Sequence, residues 1–257
     1  MLLIVLSDFH GSLNLLDDFI SRMSRFEPDL FVFCGDVMYG HKRGDEWLSA
    51  KREKRVADKN LPEIKKEIEQ DIEKLRIFYK RLGKIGSEIV AIPGNMDAPK
   101  EIVSDCYNIL NDEFENLHFI HKKALKIGDY TFIGYGGGIE KEKEEYFVYN
   151  TSEEEIGKRL KPLFQKTQNG RIILVTHTPP LADRIDLDGE KHRGSKYLTS
   201  IIGKYQPYLV LCGHAHKART MEMIGKSTIV NPGAFKDGNF TFVLINGEIK
   251  VIFESLD

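Results

Sequence analysis

The sequence predicts an α/β protein whose sheet is at least partly parallel. Short runs rich in β-branched residues alternate with segments of helical periodicity, which is typical of βαβ units. The 257 residues suffice for one large α/β domain or for two small ones. No repeat of fixed period and no low-complexity linker divides the chain. One domain over residues 1–257, built on two sheets, is therefore the simplest interpretation.

Three buried strands and one helix are expected in the first part of the chain. The strands are predicted at residues 2–6, 30–34 and 89–92, where apolar and β-branched residues run together. The first run has no basic flank and leads directly into a polar cluster, so it is interpreted as a strand and not as a signal peptide. Between the first two strands, apolar residues recur at helical spacing, and Ser12 precedes them as the expected N-cap.

A charged helical insertion is expected at about residues 41–84. Residues 41–60 are nearly all polar or charged, whereas apolar residues after Pro62 recur every three or four positions up to Leu82. This spacing predicts one long helix with a narrow apolar stripe. A surface helix that covers a sheet edge is the favoured interpretation, and a homodimer contact or a lid over the site are the alternatives. The basic run at residues 51–55 includes an acidic residue and is interpreted as a solvated face.

The second half of the chain is predicted to contain further short strands and a terminal hairpin. The Asn246-Gly247 pair is a strong turn signal between two apolar runs. The predicted strands are residues 119–127, 130–135, 172–175, 208–211, 228–230, 240–245 and 249–253.

Composition excludes several classes of protein. A content of 41% hydrophobic and 30% charged residues is that of a globular chain and not of a disordered one. The net charge of -2 gives no general attraction to nucleic acid or to an anionic membrane. No apolar run approaches the roughly 20 residues that span a bilayer. The three cysteines show no C-x-x-C spacing and fit a reducing compartment, so a cytoplasmic location is expected.

Five predicted strands end in polar clusters that contain metal-ligand residue types. Strand carboxyl ends are where open α/β sheets build their ligand sites, and aspartate and histidine are common ligands of divalent transition metals. Each cluster alone is a weak signal, because Gly-Asp and Gly-Asn are also ordinary turn pairs. Five in succession make an accidental pattern improbable. The candidate metal ligands are Asp8, His10, Asp36, Asn95, His177, His214 and His216.

The order D-x-H, G-D, G-N, H, G-H-x-H resembles that of the calcineurin-like metallophosphoesterases. The resemblance spans the chain from Asp8 to His216, and the Asn231-Pro232-Gly233 segment is similar to a turn near the end of these proteins. Residues 94–97 and 192–195 resemble a prokaryotic branch of predicted phosphoesterases related to cyclic-nucleotide phosphodiesterases. The resemblance implies a four-layer sandwich of two mixed β-sheets flanked by helices.

The resemblance also implies two divalent metal ions. Manganese is favoured, and iron, zinc, nickel and magnesium are alternatives. A metal-bridging hydroxide would hydrolyse a small phosphodiester or phosphomonoester. Asp36 would bridge the ions, and Asp36 and Asn95 would act in catalysis, with Asn95 also contacting the substrate. By position, one ion would be held by Asp8, His10, Asp36 and His216, and the other by Asp36, Asn95, His177 and His214.

One position departs from the family pattern. At the position of Met96, much of the family has a histidine that is thought to donate a proton or hydrogen bond to the leaving oxygen or phosphate. Methionine has no such proton to donate. Good leaving groups are therefore expected unless another residue takes the role. His192 is the first candidate for catalysis and substrate binding, followed by Arg193 and His41, although His192 fits an exposed loop histidine equally well. Asp97 is expected to orient Asn95 or to cap the following helix.

Two other functions stay open on the sequence alone. The first is a non-catalytic, metal-binding scaffold for protein interactions, as in the retromer coat protein of the same fold. That protein has lost catalytic residues, whereas here no ligand is missing, although Met96 is a step in that direction. The second is a nuclease, as in the double-strand-break repair members of the family, which add a DNA-binding region and a capping domain after the catalytic core. It ranks lower because this sequence ends soon after its last predicted strands and its net charge is slightly negative.

Overall fold

The computed structural model describes residues 1–139, 145–167 and 171–256. Within these ranges the chain forms two six-stranded mixed sheets and two short two-stranded ribbons. In chain order the strands are β1 (Leu2–Leu6), β2 (Leu30–Phe33), β3 (Glu88–Ala91), β4 (Leu117–Phe119), β5 (Ala124–Ile127), β6 (Tyr130–Tyr135), β7 (Gly138–Ile139), β8 (Asn150–Thr151), β9 (Arg171–Thr176), β10 (Leu187–Asp188), β11 (Lys191–His192), β12 (Leu209–Leu211), β13 (Thr220–Ile224), β14 (Ser227–Asn231), β15 (Asn239–Ile245) and β16 (Ile249–Ser255).

Six α-helices flank the sheets in the described ranges. None of them combines the length and the apolar character needed to cross a membrane. A single 3-10 turn, Phe235–Asp237, follows β14. The helices are α1 (Leu13–Met23), α2 (His41–Glu53), α3 (Pro62–Gly83), α4 (Lys100–Glu113), α5 (Glu153–Lys166) and α6 (Lys196–Tyr205).

Each large sheet has a parallel centre; the first has one antiparallel edge and the second has two. The first sheet has the order β16-β15-β1-β2-β3-β4, in which β1 to β4 are parallel and the β15–β16 hairpin is antiparallel. The second has the order β13-β14-β12-β9-β6-β5, with only its two edge strands antiparallel. The predicted mixed sheets are thus confirmed, as is the hairpin at Asn246-Gly247.

The two sheets pack against each other, and helices cover their outer faces. Along β1, Leu3 and Val5 belong to a core shared with the second sheet, whereas Ile4 and Leu6 belong to a core shared with α1, α3 and α4. This alternation follows from the two-residue period of a strand. A third core joins the second sheet to α5 and α6. The layers are therefore helix, sheet, sheet and helix, as the resemblance implied.

The predicted long helix after Pro62 is confirmed as α3. Its apolar stripe is buried within the chain, where Leu75, Phe78 and Leu82 pack in the helical core of the first sheet. The helix covers the face of the first sheet and not its edge, because Phe78 packs on Phe33 of β2, a strand between β1 and β3, so the expected position at a sheet edge was wrong. A homodimer through residues 41–84 stays a prediction, but the apolar stripe of α3 that suggested it is already packed against other residues of the same chain.

Three expectations about individual elements were wrong or incomplete. Residues 119–127 are not one strand, because the chain turns at Lys122, with φ of 58°, and passes from the first sheet to the second. Ser12 stands at the N-cap position of α1, but its side chain makes no capping hydrogen bond. The edge strand β13 was missed because its charged Glu222 interrupts the apolar pattern.

Candidate metal centre

The strand ends that carry the predicted ligands meet at one edge of the sandwich. Asp8, Asp36 and Asn95 follow β1, β2 and β3 of the first sheet, while His177 and His214 follow β9 and β12 of the second. Parallel strands present their carboxyl ends at the same edge, which brings the five loops together. Backbone hydrogen bonds tie the loops within each sheet. The amide of Asp8 donates to the carbonyl of Gly35 over 2.9 Å, and that of Gly213 to His177 over 2.9 Å.

The first cluster comprises Asp8, His10 and His216. One nitrogen or oxygen atom from each lies within 4.8 Å of those from the other two. The Nε2 of His216 is 3.2 Å from the Oδ1 of Asp8, and the Nε2 of His10 is 3.8 Å from it. The Nδ1 of His10 donates to the carbonyl of Met38 over 3.1 Å, so its Nε2 is left facing the cluster.

The second cluster comprises Asp36, His177 and His214, and it also fits within 4.8 Å. The Nε2 of His177 lies 3.3 Å from the Oδ2 of Asp36 and 3.0 Å from the side-chain oxygen of Asn95. The Nδ1 of His177 donates to the carbonyl of Cys34 over 2.8 Å. As in the first cluster, a backbone carbonyl thus orients the ring so that Nε2 faces inward.

Asp36 belongs to the second cluster but also faces the first. Its Oδ2 is 3.3 Å from the Nε2 of His177 and 3.8 Å from the Nε2 of His10. Its Oδ1 accepts a hydrogen bond of 2.7 Å from the amide of Met96, which orients the carboxylate. One carboxylate oxygen therefore faces both groups of ligands.

The ligand loops have an unusual backbone. Asp8, His10, Asp36 and His214 all have positive φ, between 45° and 67°, which side-chain-bearing residues rarely adopt. Such residues cluster at functional sites, where the surrounding structure holds them. Close packing of the loops also requires glycine, since a Cβ on Gly94 would lie 2.0 Å from the Oδ1 of Asp36.

Asp97 holds these loops from behind. Its buried carboxylate accepts hydrogen bonds of 2.8 to 2.9 Å from the amides of Asp36, Met38 and Gly94. The expectation that Asp97 orients Asn95 or caps the next helix was therefore wrong, because these three amides occupy its oxygens. Burial and then the charge of Asp36 raise the pKa of Asp97 to about 7, although the amides act in the opposite direction.

Asn231, in the turn that the resemblance singled out, supports the other side of the centre. Its side-chain nitrogen lies 3.2 Å from the carbonyls of Gly213 and Ala215 and donates to both. Its side-chain oxygen accepts from the amide of Gly233 over 3.0 Å. The sequence signalled a turn here, but not that this residue fixes the loop carrying His214.

The protonation of the centre follows from the burial of opposite charges. Burial lowers the pKa of His177, but the charge and hydrogen bond of Asp36 outweigh it and raise that pKa to about 9. Burial and the charge of His177 lower the pKa of His214 to about 4. Burial raises the pKa of Asp8, yet contact with His216 and the charge of His177 hold it well below its ordinary value. The carboxylates of Asp8 and Asp36, whose pKa values are both lowered, are therefore charged at neutral pH.

The side chains fit a pair of divalent cations. Asp8 Oδ1 is fully buried and accepts no hydrogen bond of normal geometry, which is costly for a carboxylate oxygen. A cation between Asp8 and its neighbouring imidazole nitrogens would remove that cost. Buried carboxylates with inward-facing, carbonyl-oriented imidazoles are the donor set and support that such cations need.

A cleft of about 370 Å³ opens over the centre. It is lined by ligand residues of both clusters, by residues of α2 that include His41, Trp47 and Leu48, and by Val148 and Arg193. A larger cavity of about 630 Å³ opens near Asp29 and Glu88, where β2 and β3 begin, and it contains none of the predicted ligands. The smaller cleft is thus the one that can bring a substrate to the centre.

His192 is not positioned for the role that the sequence suggested. It is absent from the residues that line the cleft, and its Nδ1 pairs with the buried carboxylate of Asp186 at 3.0 Å. The β10–β11 hairpin turns its side chain to the surface, where it is 47% exposed. The adjacent Arg193 does line the cleft, with only a loose contact of 3.9 Å to Asp188.

The chain matches the family model described as metallophosphoesterase, calcineurin superfamily, over residues 2–256. It therefore belongs to the calcineurin superfamily of metallophosphoesterases, which confirms the family that its motifs resemble.

Two curated relatives share part of this sequence. An uncharacterized protein of Methanocaldococcus jannaschii, MJ1162, is 35% identical over 151 residues, or 56% of this chain. A UPF0046 protein of Caenorhabditis elegans, K07C11.7, is 28% identical over 144 residues, again 56% of this chain. The chain spans only 63% and 46% of the length of these two relatives.

Solved structures share the fold over the whole chain. One crystal structure superposes with a TM-score of 0.87 at 25% identity, covering 100% of this chain and 99% of its own. The protein TT1561 of Thermus thermophilus gives a TM-score of 0.77 at 20% identity, covering 99% and 98%. A dimetal phosphatase from Danio rerio gives 0.63 at 12% identity, covering 99% and 95%.

Proposed function

We propose that the protein uses two divalent cations to hydrolyse a small phosphomonoester or phosphodiester. The position of Asp36 carries this proposal. One of its oxygens faces the imidazole of His10 in the first cluster and that of His177 in the second. This placement supports a carboxylate that bridges two ions at the floor of a cleft.

The ligand sets follow from the two clusters. Manganese is the proposed metal, because carboxylate oxygens suit it; iron, zinc and nickel, which suit imidazole, and magnesium are alternatives. The ions would neutralise phosphate charge and make a water molecule nucleophilic near neutral pH. One ion would be held by Asp8, His10, Asp36 and His216, and the other by Asp36, Asn95, His177 and His214.

Two further side chains are proposed to bind the phosphate. Arg193 lines the cleft, and its guanidinium can bind two phosphate oxygens at once because its contact with Asp188 is loose. Asn95 also lines the cleft, and its amide nitrogen can donate to the substrate while its oxygen faces the second cluster. The cleft volume of about 370 Å³ supports a small substrate and not a polymer.

A cytoplasmic location is proposed together with this function. All three cysteines are buried and free, which supports a reducing compartment. The two groups of candidate ligands, which open into a cleft, support catalysis over a non-catalytic scaffold or a nuclease.

The proposal is tested by hydrolysis of bis(4-nitrophenyl) phosphate and 4-nitrophenyl phosphate. Metal-stripped protein is assayed with and without manganese, beside Asp36→Asn and His177→Ala. His118→Ala, which removes an imidazole paired with Glu88, is the matched control. Manganese-dependent turnover that both site variants lose and the control keeps is the expected result. Metal binding without turnover of either ester, with any of the five metals, would contradict the proposal.

A further inference from the structure

His41 is a cleft histidine that belongs to neither cluster. It is the first residue of α2 and lines the cleft beside His10 and His214. Its ring packs on Tyr39 with centroids 3.5 Å apart, and within the described residues its nitrogens have no hydrogen-bond partner. The other histidines outside the two clusters are all engaged: His118 with Glu88, His121 with Tyr149 and His192 with Asp186.

The backbone on both sides of His41 is fixed by buried acids of α3. The amide of Gly40 donates to Asp71 over 3.0 Å, and that of Lys42 donates to Glu67 over 2.7 Å. Both carboxylates are buried, at 1% and 8% exposure of their residues. The first turn of α2 therefore has a defined position, which a reacting side chain requires.

Arg43 ties the same turn to the loop of the second cluster. Its guanidinium is fully buried, pairs with Asp71 at 3.3 Å and donates to the carbonyl of Met96 over 3.0 Å. The methyl end of Met96 lies 2.8 Å from the place that a Cβ on Gly40 would take. The turn that carries His41 thus packs directly on the residue that replaces the family histidine.

Among the cleft side chains outside the two clusters, His41 suits proton donation best. Arg193 does not give up its proton in proteins, and methionine has none to give. Histidine is the side chain whose ordinary pKa lets it both give and take a proton near neutral pH. Of the two carboxylates that also line the cleft, Asp45 and Asp188, the second already contacts Arg193 at 3.9 Å.

We propose that His41 donates the proton to the leaving oxygen, in the role of the histidine that Met96 replaces. This inference rests on the proposed phosphoesterase function. Water oxygen forms the bond to phosphorus, the phosphorus–oxygen bond to the leaving group breaks, and its electron pair stays on the leaving oxygen. The imidazolium proton of His41 converts that oxygen to an alcohol. The attacking water releases one proton to solvent, and His41 takes up one proton from solvent. Ester and water thus become alcohol and phosphate.

The dependence of the rate on the leaving group tests this role. His41→Ala and His41→Asn are compared with wild type on 4-nitrophenyl, phenyl and ethyl esters of phosphate, in the metal-loaded enzyme. Lys42→Gln, which alters the neighbouring exposed side chain, is the matched control. A proton donor matters most for the poorest leaving group, so we expect a loss in kcat of about 10²-fold or more for the ethyl ester and less than about threefold for the 4-nitrophenyl ester.

Bound manganese per chain is measured in parallel and should be the same in all four proteins. An equal loss for all three esters in the His41 variants, or no loss, would overturn the role of His41 and leave the phosphoesterase proposal intact. No hydrolysis of any ester by the wild-type enzyme would overturn both.

Discussion

The ligand loops and α2 line the same cleft. The loops are held in place by different means from α2 and the helix α3 on which it packs. The loops are short and have left-handed backbone at four of the candidate ligand positions. Their backbone amides donate hydrogen bonds to the buried carboxylate of Asp97, which holds the loops in place. The helices are regular, and the buried guanidinium of Arg43 on α2 pairs with two carboxylates on α3.

This difference separates two tasks. Converging ligands require strained, tightly packed loops, because several side chains must reach one point. A regular helix anchored at its first turn can present a reacting side chain without taking part in metal binding. Variants of the loops should therefore lose metal and activity together, and variants of the helices should lose activity or stability while keeping metal.

The largest effect is expected for Asp36→Asn. The amide loses the negative charge that both cations would share, so kcat/KM should fall by roughly 10³-fold or more. Bound manganese per chain should fall with it, as measured by elemental analysis after gel filtration. Asp17→Asn, at an exposed ion pair with Arg81, is the control and should keep both. Full metal content together with full activity in Asp36→Asn would contradict the assignment of metal binding to the loops.

Arg43→Leu is expected to be the most destabilising change in the helices. It leaves Glu67 and Asp71 buried without their cation, which should lower the free energy of unfolding by about 3 kcal/mol or more. Lys80→Ala breaks an exposed ion pair with Glu113 and should cost less than about 1 kcal/mol. Urea denaturation measures both. Loss of bound manganese in folded Arg43→Leu protein would show that the helices also hold the metals.

Asp97→Ala should weaken metal binding without removing a ligand. Three loop amides would lose their acceptor, so we expect manganese affinity to fall about 10- to 100-fold. Isothermal titration calorimetry measures the affinity, and Asp97→Asn should fall between the alanine variant and wild type because one oxygen remains. Unchanged affinity in Asp97→Ala would mean that the loops keep their shape without this carboxylate.

The pH dependence of stability and of manganese affinity should reveal a proton bound to His177 in the metal-free protein. In the metal-free protein the pKa of His177 is raised to about 9, so the stability that its pairing with Asp36 contributes is present below pH 6.5 and is lost as pH rises through 9. Metal must displace that proton, so manganese affinity should rise by up to about tenfold per pH unit across the same window. Proton release measured by calorimetry in two buffers checks this. An affinity that is flat with pH would contradict it.

The grouping of the candidate metal ligands could be predicted from sequence because their residue types are rare and their positions are marked by strand ends. Asp8-Phe9-His10 and His214-Ala215-His216 stand where apolar runs stop, and parallel strands bring such ends together. The fold class followed from the same periodicity. Residues 119–127 misled, because an apolar run does not reveal a turn at Lys122 that changes sheets.

The support of the centre could not be predicted in the same way. Arg43, Glu67 and Asp71 lie in a segment whose composition is that of a solvated face, and only the packing of α2 on α3 buries them. The three amides that meet at Asp97 come from two different loops. His192 was misjudged because its orientation depends on Asp186, a partner that only the hairpin brings close.

The central claim is that Asp36 bridges two cations, and the most direct test is magnetic. Wild-type protein loaded with two equivalents of manganese is compared with Asp36→Asn by electron paramagnetic resonance. Two ions that share a carboxylate oxygen should give the signal of an exchange-coupled pair, and the variant should lose it. A spectrum of isolated manganese in the fully loaded wild-type protein, or binding of one ion per chain, would contradict the account.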